Sequence, residues 1–233
     1  TDNAFVQIGD AEVGFVDVLH IEDDDDDDNV EFQINTRTVG TQGANAMYTS
    51  DDDIVDSELE TGGLGNGDIY YRNDDTGTAI DFDTYLDELG LIDLTGDDDE
   101  NDPIDQLSRP IQPADYEISV ADEDDDGVVF GEAEGDSVTS NQLDSAVLEL
   151  EDPTIGDVNT WVAPEGNADD DDTPSEVLDV VTNRSDIAID DRLVIQVEAT
   201  GFEGALVESN GGDFDTLEDG TTLDVFEDII AND

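Results

Sequence analysis

The chain has 233 residues, of which 68 are acidic and five are arginine or lysine, so its formal net charge is -63. Repulsion of this size opposes a compact fold in dilute buffer, but it is screened above about 1 M salt, where the Debye length is roughly 3 Å. The composition predicts a protein adapted to concentrated salt. The absence of a basic patch excludes binding to nucleic acid and to anionic membranes.

High net charge with low hydropathy is also typical of disordered chains. A hydrophobic content of 36% and regular apolar patterns favour a folded protein instead. There is no cysteine, which excludes disulfides and thiolate metal sites. No apolar stretch approaches the roughly 20 residues that span a bilayer, so we expect no membrane insertion within this chain.

Short segments of alternating apolar and polar residues predict β-strands along most of the chain. In one of them Val30, Phe32 and Ile34 fall on one face. Six consecutive aspartates, Asp23 to Asp28, are interpreted as an exposed hairpin tip. The pattern is typical of an all-β sandwich. The expected strand segments are 13–21, 30–35, 116–120, 128–130, 146–150 and 193–199.

Helix is expected to be the minority, with one or two short helices. Apolar residues over 82–89 recur at i, i+3, i+4 and i+7, and Asp81 is placed to cap that helix. The capping box at 173–176 predicts a second helix to about Val181. A boundary near Asp152-Pro153 predicts a first β-sandwich domain of residues 1–152 and a second, smaller β-rich domain of residues 153–233.

Two acidic loops offer the oxygen ligands that Ca²⁺ prefers. The loop at 122–127 matches positions one, three, five and six of an EF-hand, but position twelve is Ala133, between Glu132 and Glu134, and no helix pattern flanks it. A second loop covers 97–102. Each is either a calcium site or a solvated turn. The calcium ligands would be Asp122, Asp124, Asp126, Glu132, Asp97, Asp99 and Asn101.

The residues for catalysis are scarce, which indicates that the protein is not an enzyme. His20 is the single histidine, and its place within a strand pattern favours a structural or exposed role. The glycine-rich segment 62–67 has neither a following helix pattern nor a nearby lysine, so it does not predict a phosphate-binding loop. A secreted hydrolase with a carboxylate pair stays open as a third alternative.

Two further positions are singled out by their residue types. Asn183-Arg184-Ser185 is an N-glycosylation sequon in a polar connection, and it becomes relevant if the protein is exported. Trp161, the lone tryptophan, is either a core or interdomain anchor or a contact between neighbouring subunits.

Several segments together resemble the surface glycoproteins of halophilic archaea, S-layer-like proteins built from tandem immunoglobulin-like modules. The resemblance covers most of residues 10–207 and is best over 146–206. It implies a secreted, cysteine-free protein of immunoglobulin-like β-sandwich modules at the cell surface, N-glycosylated and steadied by divalent cations. The segments that carry it are 30–40, 116–120, 146–151, 160–164 and 193–206, the last reading LVIQVEATGFEGAL.

The function expected from all of this is structural. We expect a cell-surface protein that self-assembles into an extracellular array or filament, with copies of itself and cations, divalent or monovalent, as its partners. Phe5, Val6 and Ile8 in the segment 1–9 suggest a strand donated to an open sheet edge of a neighbour, and Trp161 a subunit contact. The alternative is a monomeric ligand- or glycan-binding module of a larger secreted protein.

Overall fold

The computed structural model describes residues 3–39, 47–61, 71–73, 76–95, 106–107, 111–122, 129–163, 177, 179–184 and 186–219. The chain divides into two compact units, residues 1–151 and 152–233. Within the described ranges, none of the helices has the length and apolar character needed to cross a membrane.

Unit 1 is built from strands and two short helices in its described part. A five-stranded antiparallel sheet has the order β11-β8-β1-β2-β5, a four-stranded sheet the order β10-β9-β6-β7, and β3 pairs with β4. The elements are β1 (Asn3–Asp10), β2 (Phe15–Glu22), β3 (Gln33–Ile34), β4 (Tyr48–Thr49), β5 (Ile54–Ser57), α1 (Glu58–Thr61), β6 (Tyr71–Asn73), β7 (Thr78–Ile80), α2 (Phe82–Glu88), β8 (Asp115–Ala121), β9 (Phe130–Ala133), β10 (Asp136–Thr139) and β11 (Gln142–Glu149).

The core of unit 1 forms around the β1–β2 hairpin. The middle of β1 and the first half of β2 are buried on both faces, which explains why Phe15 to Leu19 is nearly continuous in apolar residues. Tyr85 and Leu86 of α2 are fully buried in the same core, together with Tyr116 of β8. Among the described residues of this unit, Asp17, Asp23, Glu58 and Glu132 are the buried charged residues, so the acidic composition does not prevent a sizeable apolar core.

Unit 2 contains a three-stranded antiparallel sheet of order β13-β12-β14 in its described residues. The β12 strand has a bulge between Ile155 and Val158, where the register with β14 shifts. Short helices follow the sheet. The elements are β12 (Thr154–Ala163), β13 (Thr182–Asn183), β14 (Arg192–Thr200), α3 (Glu203–Ser209) and α4 (Thr216–Asp219).

The predicted fold class is confirmed: the protein is all-β with short helices. The helix predicted over 82–89 is present as α2, with Asp81 Oδ1 accepting a hydrogen bond from the Thr84 N–H at 2.8 Å. The helices α1, α3 and α4 were not predicted. The four residues of α1 and of α4 are too few to show a helical period, and α3, which is as long as α2, has no side-chain N-cap. Of the predicted second helix, most residues lie outside the described ranges.

One predicted strand and one predicted turn need correction. The segment 30–35 is strand only at Gln33–Ile34. The aspartate run at 23–28 is not a hairpin tip, because β2 pairs with β1 and β5 whereas β3 pairs with β4. The run therefore connects strands of two different sheets, and its first member, Asp23, is buried.

Gly9 is expected to be the most sensitive glycine of the β1–β2 hairpin. Its φ is +86°, and a Cβ there would lie 2.1 Å from the carbonyl oxygen of Phe15. Gly14, in the turn of the same hairpin, has φ +74° with nothing within 4 Å of its Cβ position. We expect Gly9→Ala to cost about 3 kcal/mol and Gly14→Ala about 1 kcal/mol, because only the first adds a backbone clash to the unfavourable φ.

The measurement is urea denaturation of both variants in concentrated salt. Equal losses of stability at the two positions would contradict the predicted clash between Gly9 and Phe15.

Candidate functional site

The acidic loop between β2 and β3 brings carboxylates to a single point. One carboxylate oxygen from each of Asp23, Asp25 and Asp27 lies within 4.8 Å of the others, a spacing that a metal ion could bridge. The loop holds this shape through Asp23, whose two carboxylate oxygens accept hydrogen bonds from the N–H groups of Asp27 at 3.3 Å and Asp28 at 2.9 Å. Asp26 and Asp28 have positive φ, which aspartate tolerates better than most residues.

The electrostatics of this loop favour a cation. Although Asp25 is exposed, partial loss of water around its carboxylate and the negative charges of Asp27, Asp23 and Asp53 raise the pKa of Asp25 above its ordinary value. The pKa of Asp23 is lowered, because the N–H groups of Asp28, Asp27 and Asp26 outweigh the effect of burial. A bound cation would remove the repulsion that Asp25 experiences and would stabilise the loop.

An open cleft of about 570 Å³ adjoins the loop, and acidic residues from both of its sides line it. Asp25 and Asp27 contribute from one side, and Asp53 from the other. Thr49 and Asp53 line this cleft, and each has one buried oxygen, Oγ1 and Oδ1, without a hydrogen-bond partner within the described part of the chain. Buried oxygens without a protein partner are commonly satisfied by a water or an ion.

Of the seven calcium ligands predicted from the sequence, the structure describes two, Asp122 and Glu132. Asp124, Asp126, Asp97, Asp99 and Asn101 lie outside the described residues. Asp122 follows β8, and its N–H donates to the carbonyl of Asn141 at 3.4 Å. Glu132 of β9 is buried, where it accepts hydrogen bonds from the Asn73 side chain at 3.1 Å and from the Gly135 N–H.

The cluster at Asp23, Asp25 and Asp27 was missed as a candidate site. Its signal in the sequence is the same alternate spacing that directed attention to Asp122 and Asp124. In a run of six consecutive aspartates this spacing does not stand out, because any two alternate positions of the run are both aspartate.

The predicted assembly residues lie in different surroundings. Phe5, Val6 and Ile8 are 1%, 4% and 2% exposed because they belong to the hydrophobic core. Their strand, β1, is hydrogen-bonded to β2 on one side and to β8 on the other. In this structure the segment is therefore a central strand of its own sheet. Trp161 of β12 is half-buried, and its Nε1 donates to Gln196 Oε1 at 3.0 Å.

Asn183, the predicted glycosylation position, is exposed at the end of β13. The next residue, Arg184, forms an ion pair with Asp191 at 3.1 Å. An exposed asparagine at a strand end is accessible to a glycan.

A buried carboxylate that the sequence analysis did not single out lies in the five-stranded sheet of unit 1. Asp17 of β2 is fully buried and accepts hydrogen bonds from Tyr48 Oη at 2.7 Å and Ser57 Oγ at 2.8 Å. The N–H groups of Val18 and Leu59 donate to its other oxygen. Burial raises the pKa of Asp17 to about 6, although all four hydrogen bonds act in the opposite direction. The sequence signal for this buried carboxylate is a single aspartate within the apolar segment from Phe15 to Leu19.

Comparison with known proteins shows which families and proteins this chain is similar to. The sequence model of a family described as "Domain of unknown function (DUF7827)" matches residues 1–88. The chain is 27% identical over 221 residues to "Cell surface glycoprotein 2" of Haloarcula hispanica, and 30% identical over 222 residues to "Cell surface glycoprotein" of Haloferax gibbonsii. The chain is related to the cell surface glycoproteins of halophilic archaea.

These alignments cover 91% and 93% of the chain but 19% of each relative, so the chain spans about a fifth of their length. "Cell surface glycoprotein 1" of Haloarcula hispanica is 34% identical over 88 residues, which are 36% of the chain and 9% of that relative. No solved structure matches. The resemblance to halophilic surface glycoproteins expected from the sequence is confirmed, and immunoglobulin-like modules stay a prediction.

Proposed function

We propose that this chain is a structural module at the cell surface of a halophilic archaeon, and that it associates with copies of itself in an extracellular array or filament. What carries this proposal is the similarity, along more than nine tenths of the chain, to cell surface glycoproteins of two halophilic archaea. The module has no catalytic role in this proposal: it contributes folded mass and contacts to the layer outside the cell.

The charge of the chain supports this location. Sixty-eight acidic residues against five basic ones suit a protein exposed to the concentrated salt around the cell, where the charges are screened. Where acidic surfaces of two copies face one another, cations must lie between the carboxylates, since bare carboxylate surfaces repel.

We extend the proposal to the cations themselves. The loop at Asp23, Asp25 and Asp27 binds a divalent cation, for which calcium is the first choice because three carboxylate oxygens are hard ligands at the right spacing. The two unpartnered oxygens of Thr49 and Asp53 on the adjoining cleft support this role. A cation there would fix the connection between the two sheets that β2 and β3 belong to.

The test is negative-stain microscopy of the purified chain in about 2 M salt, first with millimolar Ca²⁺ and then with chelator; the ionic strength keeps the Debye length near 3 Å or below. We expect sheets or filaments with Ca²⁺ and their dissolution on chelation. Uniform monomers in both conditions would contradict self-association and would favour the alternative of a monomeric binding module.

A pair of matched variants assigns the cation effect to the loop. Asp25→Asn with Asp27→Asn removes two charges at alternate positions of the candidate site, and Asp213→Asn with Asp215→Asn removes two at exposed alternate positions of unit 2. We expect only the first pair to weaken Ca²⁺ binding in a calorimetric titration, by about tenfold or more. Equal binding by both double variants would remove the loop from the proposal.

A further inference from the structure

The sheet of unit 2 has one face without charge, in a chain where acidic residues are the commonest feature. The register of β12 and β14 pairs Val158 with Val197, Thr160 with Ile195 and Val162 with Leu193. Paired residues of antiparallel strands point to the same side of the sheet. Ile155 lies on this side too, because it pairs with Ala199. We call Ile155, Val158, Leu193, Ile195 and Val197 the apolar face.

The apolar face is exposed. The exposed fractions are 80% for Ile155, 61% for Val158, 59% for Ile195, 51% for Val197 and 47% for Leu193. Val162, at one end of this side, is the exception and is fully buried. On the opposite side of the same strands Trp161, Val194 and Gln196 are half-buried, whereas Arg192 and Glu198 are exposed. A sheet normally buries its apolar side and leaves its polar side to water. Most of the apolar side of this sheet is exposed instead, which is typical of a surface that meets a partner.

We propose that the apolar face packs against the same face of a second copy of this chain. The proposal rests on the proposed self-association and names the surface that mediates it. Two three-stranded sheets stacked in this way form the two layers of a β-sandwich, each copy supplying one layer. The contact is isologous, because each copy presents the same residues to the other.

Charge is the first reason that the partner is a second copy. Each copy has a net charge of -63, so contacts between copies through most of their surface bring carboxylates together. None of the eight residues that the register assigns to this side of β12 and β14 is charged. Two copies can therefore meet here without facing carboxylates, and salts excluded from the protein surface strengthen the burial.

Area is the second reason. Five branched aliphatic side chains, each about half or more exposed, form a patch on the order of 500 Å², near the upper end of what a monomer leaves uncovered. Two such patches bury roughly 1,000 Å² together, about the smallest area for a specific interface. A contact of this size is weak alone and becomes significant when many copies associate.

The test compares two valines of nearly equal exposure. Val158, 61% exposed, lies on the apolar face of unit 2; Val147, 64% exposed, lies in β11 of unit 1. Sedimentation equilibrium in about 2 M salt, where charges are screened to within roughly 3 Å, measures the association of wild type, Val158→Asp and Val147→Asp. We expect at least a tenfold rise in the dissociation constant for Val158→Asp and little change for Val147→Asp.

A second variant guards against simple misfolding. Val158→Thr keeps the strand preference and replaces one methyl group by a hydroxyl group, so it is expected to raise the dissociation constant about threefold with an unchanged far-ultraviolet circular dichroism spectrum. If wild type associates and the Val158 variants associate equally well, the apolar face is not the contact, and the proposed function stands through another surface. If wild type does not associate at all, the proposed self-association itself is overturned.

Discussion

Transfer from about 2 M salt to 0.1 M salt is expected to unfold this protein, because the Debye length grows from below 3 Å to roughly 10 Å and neighbouring carboxylates then repel one another. The net charge of -63 has no comparable positive charge to oppose it. Domains of this kind are stable by only about 5–15 kcal/mol, so loss of screening over 68 acidic residues removes most of that margin.

Circular dichroism at 218 nm across a dilution series in KCl measures this transition, with return to high salt as the check of reversibility. Sucrose at 0.1 M salt is the control, since it favours burial by exclusion without screening charge. We expect sucrose to restore less strand signal than salt does. A strand signal that is unchanged in 0.1 M KCl would contradict the role given to charge repulsion.

The second large effect concerns Asp17 and pH. Its pKa is about 6 in the folded protein against an ordinary value of 3.8, so the folded state holds a proton on Asp17 more tightly than the unfolded state does. The contribution of Asp17 to stability is therefore greatest below about pH 4 and is lost as the pH rises to 6. A shift of this size corresponds to about 3 kcal/mol.

Asp17→Asn removes this dependence while keeping an oxygen that can accept from Tyr48 and Ser57. We expect the stability of the variant relative to wild type to rise by about 2 kcal/mol between pH 4 and pH 7, because the wild type buries a charge above pH 6 and the variant does not. The measurement is urea denaturation in concentrated salt at each pH.

The matched control is Asp144→Asn, an exposed position in β11 that removes one carboxylate without touching the buried cluster. If the difference in stability between wild type and Asp17→Asn is the same at pH 4 and at pH 7, the raised pKa of Asp17 is contradicted.

The parts of the fold that could be predicted are those with a complete local pattern. The α2 helix has two turns of apolar periodicity and a capping aspartate, and both are where they were expected. The alternation over 193–199 became β14, and that over 116–120 became β8. Strands such as β6 and β7 have three residues each, which is too short for a period of two to be recognised.

The calcium sites predicted at 97–102 and 122–132 stay a prediction, and the cluster at Asp23, Asp25 and Asp27 was not singled out because acidic loops are abundant in this chain. Which loop curls its carboxylates towards one point depends on backbone hydrogen bonds such as those that Asp23 accepts from Asp27 and Asp28. The role of segment 1–9 was likewise open, since an apolar strand fits a neighbour's sheet as well as its own. β2 is the next strand along the chain, but the pairing with β8 depends on residues more than a hundred positions away.

The salt adaptation, the all-β class and the position of α2 follow from the sequence, because net charge is additive and periodicity is local. The contacts of Asp17 with Tyr48 and Ser57, and the exposed uncharged side of the β12–β14 sheet, follow only from the folded arrangement. Strand order and register arise from contacts between residues distant in sequence. A pattern of alternating residues specifies two faces of a strand, but only its neighbours decide which face meets water.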